Sequence, residues 1–161
     1  MLKKILSPES CAECRLCCVF DSSDIWEIPV FSHETAGIIR EALPDTEFIP
    51  YGGGYILKTE KLAGNELFTC PALTDKGCML GDSKPFDCRI WPFRIMEIGG
   101  RRAITVASIC SEIYNRPLSQ LVEFLKEGTA DMIFSYAAEN PEIVKPYDSG
   151  YPVLLFEAAE K

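Results

Sequence analysis

A chain of 161 residues, 47% hydrophobic and 25% charged, is long enough to bury a core without covalent staples. Its formal net charge of −8 repels a phosphate backbone, which argues against a nucleic-acid partner. No window approaches the roughly 20 apolar residues of a membrane span, so a membrane partner is not expected.

The opening MLKKILSPES has lysines, but only Ile5 and Leu6 follow them before Ser7-Pro8. A secretory leader needs an apolar run of about 7–15 residues. The expected location is therefore the cytoplasm, where thiols stay reduced. Next comes CAECRLCC (11–18), which holds Cys11, Cys14, Cys17 and Cys18; Cys70, Cys78, Cys88 and Cys110 follow later. In a reducing compartment, eight cysteines point to metal or redox chemistry rather than a disulfide framework. The run shows no sustained helical or strand period and reads as a ligand-bearing loop with a short turn. A C-x-x-C turn lets both sulfurs face one metal, while backbone N–H groups stabilise the thiolates. Two such turns in series resemble the run that delivers three sulfurs to an iron–sulfur cluster, with a distant Cys70-Pro71 to supply a fourth. Adjacent Cys17 and Cys18 are expected to point apart, so that one tetrahedral zinc would not readily take both.

Residues 32–43, SHETAGIIREAL, predict a helix capped by Ser32, with Ala36, Ile38, Ile39 and Leu43 as its apolar stripe and Pro44 as its stop. His33 is the chain's one histidine; at a helix end it reads as a surface residue before a ligand. In YGGGYILKT (51–59) the glycines suggest a turn entering a short strand. They lack the Lys-Ser/Thr and helix start of a phosphate loop. Asp75, Asp82 and Asp87, between the later cysteines, read as turn residues. Phe86, Ile90, Trp91 and Phe93 read first as core; around a cluster they would also exclude water. FRIMEI (93–98) and RRAITV (101–106) flank Gly99-Gly100, a two-residue hairpin signal. Arg89, Arg94, Arg101 and Arg102 read as a solvated hairpin face, with offsetting of thiolate charge as the sharper reading. PLSQLVEFLKE predicts a helix stopped by Gly128, TADMIFSYAAE a second one begun at Thr129 and ended before Asn140-Pro141, and VLLF a late strand. The sum is an α+β fold in one small domain, 1–161. It has a cysteine-rich, metal-binding motif region (11–110) containing a short β-hairpin, and a helical C-terminal third (111–161).

CAECRLCC followed by CPALTDKGCMLGDSKPFDCRIWPF resembles the CxxCxxCC family, described as zinc- or iron-chelating. Cys11, Cys14, Cys17 and Cys18 match its four-cysteine opening, and Cys70-Pro71 and Cys78 its middle. Pro85-Phe86-Asp87-Cys88-Arg89-Ile90-Trp91-Pro92 matches its last element, and Cys110 resembles a further cysteine. The resemblance implies metal chelation by these thiols. The family includes a domain similar to part of flagellin lysine methylases, which use S-adenosylmethionine; this chain shows no separate fold for that cofactor.

Zinc would prefer two C-x-x-C pairs separated by a loop, and only the first half of that pattern is present. The spacing therefore favours a 4Fe–4S iron–sulfur cluster, with zinc as the alternative. For a single four-sulfur set, Cys14, Cys17, Cys70 and Cys88 are the expected ligands. The expected role is redox or metal handling, with a redox protein as possible partner. A structural zinc domain and a metal-dependent enzyme related to lysine methylases are the other classes.

Overall fold

The computed structural model describes residues 2, 4–21, 25–58 and 67–158. Near the amino terminus the Ser7 hydroxyl accepts from the Ser10 N–H (3.3 Å), with Pro8 in the first turn and Glu9 beside it; these begin helix α1 (Pro8–Cys14). The loop expected here is thus corrected for Cys11 and Cys14. A cap and a proline just before the thiols start a helix too short to show a period. α1 ends at Arg15, whose backbone is left-handed (φ 56°, ψ 5°). That conformation is unusual outside glycine, and the side chain braces it by donating to the carbonyls of Ala12 (3.0 Å) and Asp75 (2.6 Å). A 3-10 turn, Leu16–Cys18, leads into strand β1 (Val19–Asp21).

Helix α2 (His33–Ala42) starts as expected, with Ser32 Oγ accepting from the Thr35 N–H at 3.1 Å. It buries Thr35, Ala36 and Ile39. The glycine turn joins two strands, β2 (Phe48–Tyr51) and β3 (Gly54–Leu57), in an antiparallel hairpin. Strand β4 (Leu67–Thr69) pairs antiparallel with β1, and β5 (Leu73–Thr74) pairs with β6 (Gly77–Cys78). Short helix α3 (Phe86–Ile90) passes through a cis Trp91–Pro92 bond into the hairpin of β7 (Phe93–Ile98) and β8 (Arg101–Val106). Its register runs from Phe93↔Val106 to Ile98↔Arg101, with Gly99 and Gly100 at φ 58° and 78° in the turn.

After α4 (Ser111–Tyr114) come α5 (Leu118–Phe124) and α6 (Ala130–Glu139). The chain leaves helical geometry at Glu127 and Gly128 (φ 107°), so glycine marks the break as expected. Thr129 makes no side-chain cap; α6 grows on from the kink. The C-terminal third is not all helix. β9 (Lys145–Pro146) adds parallel to β7 and β10 (Val153–Phe156) antiparallel to β8, giving the order β10-β8-β7-β9. A lone two-stranded hairpin is marginal in water, and these additions widen it into a sheet with a face to bury.

Two apolar clusters result. One packs α4, α5 and α6 on the larger sheet through Ile90, Phe93, Ile104, Leu121, Leu125 and Ile133. The other joins Phe20, Ile28, Phe31, Ile39, Leu57 and Leu80. Cys110 belongs to the first, with Cys11 and Cys17 packed against it, whereas Cys70 and Cys78 pack against the second. Among the described residues no helix is long and apolar enough to cross a membrane.

Candidate metal centre

The β1–β4 ladder carries the front cysteine run to the later ones. It continues one step beyond its last pair, where the Cys70 N–H donates to the Cys18 carbonyl at 2.8 Å. The Leu73 N–H donating to the Cys70 carbonyl (3.0 Å) and the Met79 N–H to that of Ala72 (2.9 Å) then fold β5 and β6 back. Cys78 thereby returns to the neighbourhood of Cys70. Cys88 arrives on α3, whose carboxylate Asp87 accepts from the Val30 N–H at 2.8 Å. The outcome is an open cleft of about 580 Å³ bordered by Cys11, Cys17, Cys18, Cys78 and Cys88, with Trp91 in its wall. Arg15, Lys76, Lys84 and Arg89 put positive charge around it.

Cys17 and Cys18 do not point apart: their sulfurs lie 4.0 Å from each other. Side chains alternate across an extended strand, but these two sit in the 3-10 turn, where successive residues are only about a third of a turn apart. Their contact is the first cause that drives the Cys17 thiol far up, followed by burial. Cys70 is pushed up to about 11, by burial first, with Cys78 and Cys17 adding to it. Cys88 is raised well above the ordinary thiol range by burial and then by Asp87; Cys70 and Cys17 act in the same sense and Arg94 against it. Cys17, Cys70 and Cys88 are thus mutual neighbours, three of the expected four-sulfur set. Cys14 is not with them. It is exposed and takes a hydrogen bond from Ser111 Oγ (3.9 Å), beside Cys110 at the start of α4.

None of the eight thiols is in a disulfide. Among the described residues no three His, Cys, Asp or Glu side chains converge tightly enough to grip one ion as they stand. As a donor set the thiols suit zinc or iron–sulfur chemistry, being soft, numerous and drawn from separate segments. The match is one of donor chemistry alone; as placed, the described side chains close no coordination shell.

Compared with known proteins, the chain matches no family model, no curated protein and no solved structure.

The remaining candidates separate cleanly. His33 is exposed at the first position of α2, edge-on to Tyr55 with ring centres 4.9 Å apart. Asp75 and Asp82 lie in turns, but Asp87, expected in a turn, is buried on α3. Phe86, Ile90, Trp91 and Phe93 are all core residues. The arginine cluster divides. Arg102 pairs with Glu157 (2.6 Å) and Arg101 lies over the Phe156 ring, both away from the cleft, whereas Arg89 borders it.

Arg94 is the residue whose part was least visible. Only 3% exposed, its guanidinium donates to Glu27 Oε2 (2.9 Å) and to the carbonyls of Trp26 (2.9 Å) and Asp87 (3.2 Å). Glu27 also accepts from Trp91 Nε1 (2.8 Å) and the Tyr151 hydroxyl (2.5 Å). Burial opposes the Glu27 carboxylate, but Arg94 and these hydrogen bonds outweigh it and leave its pKa lowered. The network ties the 26–28 segment, α3, β7 and the tail together beneath the thiols. Its one sequence signal was an arginine among the apolar residues at the start of FRIMEI, whose other charge, Glu97, is exposed.

Proposed function

We propose that this protein binds an inorganic centre on cysteine thiolates at the cleft, with an iron–sulfur cluster as the preferred occupant and redox or metal handling as the role. The observation that carries the reading is the gathering of sulfurs from α1, the 3-10 turn, β6 and α3 on one open cleft, with Cys70 adjoining. Cys17, Cys70, Cys78 and Cys88 would hold the centre. It would supply electron storage, and the buried Arg94 and the basic rim would offset the charge that thiolates bring. An open cleft beside the sulfurs leaves room for a second ligand, unlike a closed structural knuckle.

Zinc is the second reading, favoured by one distance. The 4.0 Å between the Cys17 and Cys18 sulfurs is close to the roughly 3.8 Å edge of a tetrahedron with 2.3 Å Zn–S bonds.

Anaerobic purification with metal analysis and a visible spectrum decides between them. Brown protein with iron and acid-labile sulfide, lost in Cys17→Ser and Cys88→Ser, supports the cluster. Colourless protein with stoichiometric zinc supports the second reading, and a chain that takes up neither metal overturns both.

A further inference from the structure

The chain has 24 acidic residues against 16 basic ones, so a cation without a carboxylate partner stands out. Lys4, Lys58, Arg94 and Arg102 each pair with a glutamate. Lys76, Lys84 and Arg89 form no ion pair among the described residues, and all three border the thiol cleft. With Arg15 they set four cations on its lining against one carboxylate, Asp82. A divalent ion on four thiolates carries a net charge of about −2, so even an occupied centre leaves this lining positive. The elements that carry the cations are fixed. In the β5–β6 turn the Lys76 N–H donates to Thr74 Oγ1 at 3.2 Å. Lys84 lies close enough to Cys11 and Cys17 to favour both thiolates. The Arg89 guanidinium sits over the Phe86 ring, 5.5 Å from its centre, and that ring stacks on Tyr136 at 3.7 Å. A ring contact orients the guanidinium and leaves its fork of N–H donors open. Lys84 and Arg89 also line a smaller polar pocket of about 260 Å³, where Asp82 and Glu34 are the acids and both are exposed.

We propose that the cleft binds a small organic anion, held beside the thiols through a carboxylate or phosphate group by Arg89, Lys84 and Lys76. The proposal rests on the metal reading for the centre that this ligand adjoins, while the binding itself rests on the cations. A planar guanidinium matches two oxygens of either group at once, and the two ammonium groups add point charges around it. Leu6 and Trp91 in the same lining give the rest of the ligand an apolar face, so an organic anion fits better than a bare ion. At about 580 Å³ the cleft has the size of a small-molecule site. Cys88 and Arg89 are adjacent on α3, so one short helix brings a sulfur and the guanidinium to the same cleft.

The test is calorimetric titration of the full-length chain, purified anaerobically, with benzoate and with phenyl phosphate at low salt. At least one should bind with a dissociation constant on the order of millimolar or tighter, and the tighter of the two tells carboxylate from phosphate. Arg89→Gln should weaken that binding about tenfold or more, Lys84→Gln should weaken it as well, and Arg89→Lys should retain part of it. Lys126→Gln, an equal loss of charge at an exposed position outside the cleft, should leave it unchanged. Because Arg89 and Lys84 make no ion pair, their variants should unfold at the wild-type temperature. The proposal is overturned if neither probe binds, if Arg89→Gln binds both as wild type does, or if Lys126→Gln loses as much as Arg89→Gln. Metal content is measured on the same samples. Metal without probe binding leaves the metal reading standing and refutes this one, whereas Arg89-dependent binding to a chain that takes up no metal does the reverse.

Discussion

Replacing Glu27 by alanine should destabilise this protein more than any surface change, and the reason can be worked through. The Glu27 and Arg94 side chains are 8% and 3% exposed and meet at 2.9 Å. Removing one partner of such a pair strands the other charge in the core, at a cost of about 3–5 kcal/mol. Trp91 Nε1 and the Tyr151 hydroxyl lose an acceptor as well. Unfolding entropy of about 2.1 cal/mol/K per residue over 161 residues makes each kcal/mol worth about 3 °C, so the melting temperature should fall by about 9–15 °C. Thermal unfolding followed by circular dichroism reads this directly. The sign of the pH dependence follows from the lowered carboxyl. Its stabilisation is present above the ordinary value of 4.5 and is lost as pH falls through the depressed folded value. Wild type and Glu27→Gln should therefore differ most near neutrality and converge in acid. A Glu27→Ala chain within about 1 kcal/mol of wild type would refute the reasoning, showing that Arg94 is solvated or finds another counter-ion.

Gly54→Ala should cost about 1–3 kcal/mol in urea unfolding, because its new Cβ would stand 2.5 Å from the Phe31 carbonyl oxygen, where Phe31 and Tyr55 exchange backbone hydrogen bonds. Ser32→Ala should cost about 1 kcal/mol by removing the acceptor for the Thr35 N–H, and Ser32→Asp should recover most of it. If the cleft holds its centre, treating purified protein with a strong chelator should lower the melting temperature of wild type but not of Cys17→Ser/Cys88→Ser. An equal response of both would detach metal from the cleft.

Local signals were readable wherever one element contains them whole. Ser32 and Pro44 bracket α2, and Gly99-Gly100 places the turn of the β7–β8 hairpin, whose register the imperfect alternation left open. The first helix was hidden because α1 is only 7 residues, so a cap and a proline outweighed any visible period. In the tail VLLF read as a strand and is β10, but two-residue β9 was not visible, and the pairing of both with β7 and β8 is created by the sheet they join. Among the thiols, the bond between the Cys70 N–H and the Cys18 carbonyl spans a long stretch of chain that no local pattern encodes. The same holds for Glu27 and Arg94, 67 positions apart.

From the order of residues alone came the α+β character, the main helices and hairpin, and a high density of soft donors. Which sulfurs are neighbours was decided by the tertiary structure. Two apolar clusters bury their own faces, Cys17 packs against one and Cys70 against the other, and the β1–β4 ladder brings them together while Cys14 goes to the start of α4. Spacing along a chain sets which thiols share a turn. Burial of distant apolar surface sets which thiols share a site.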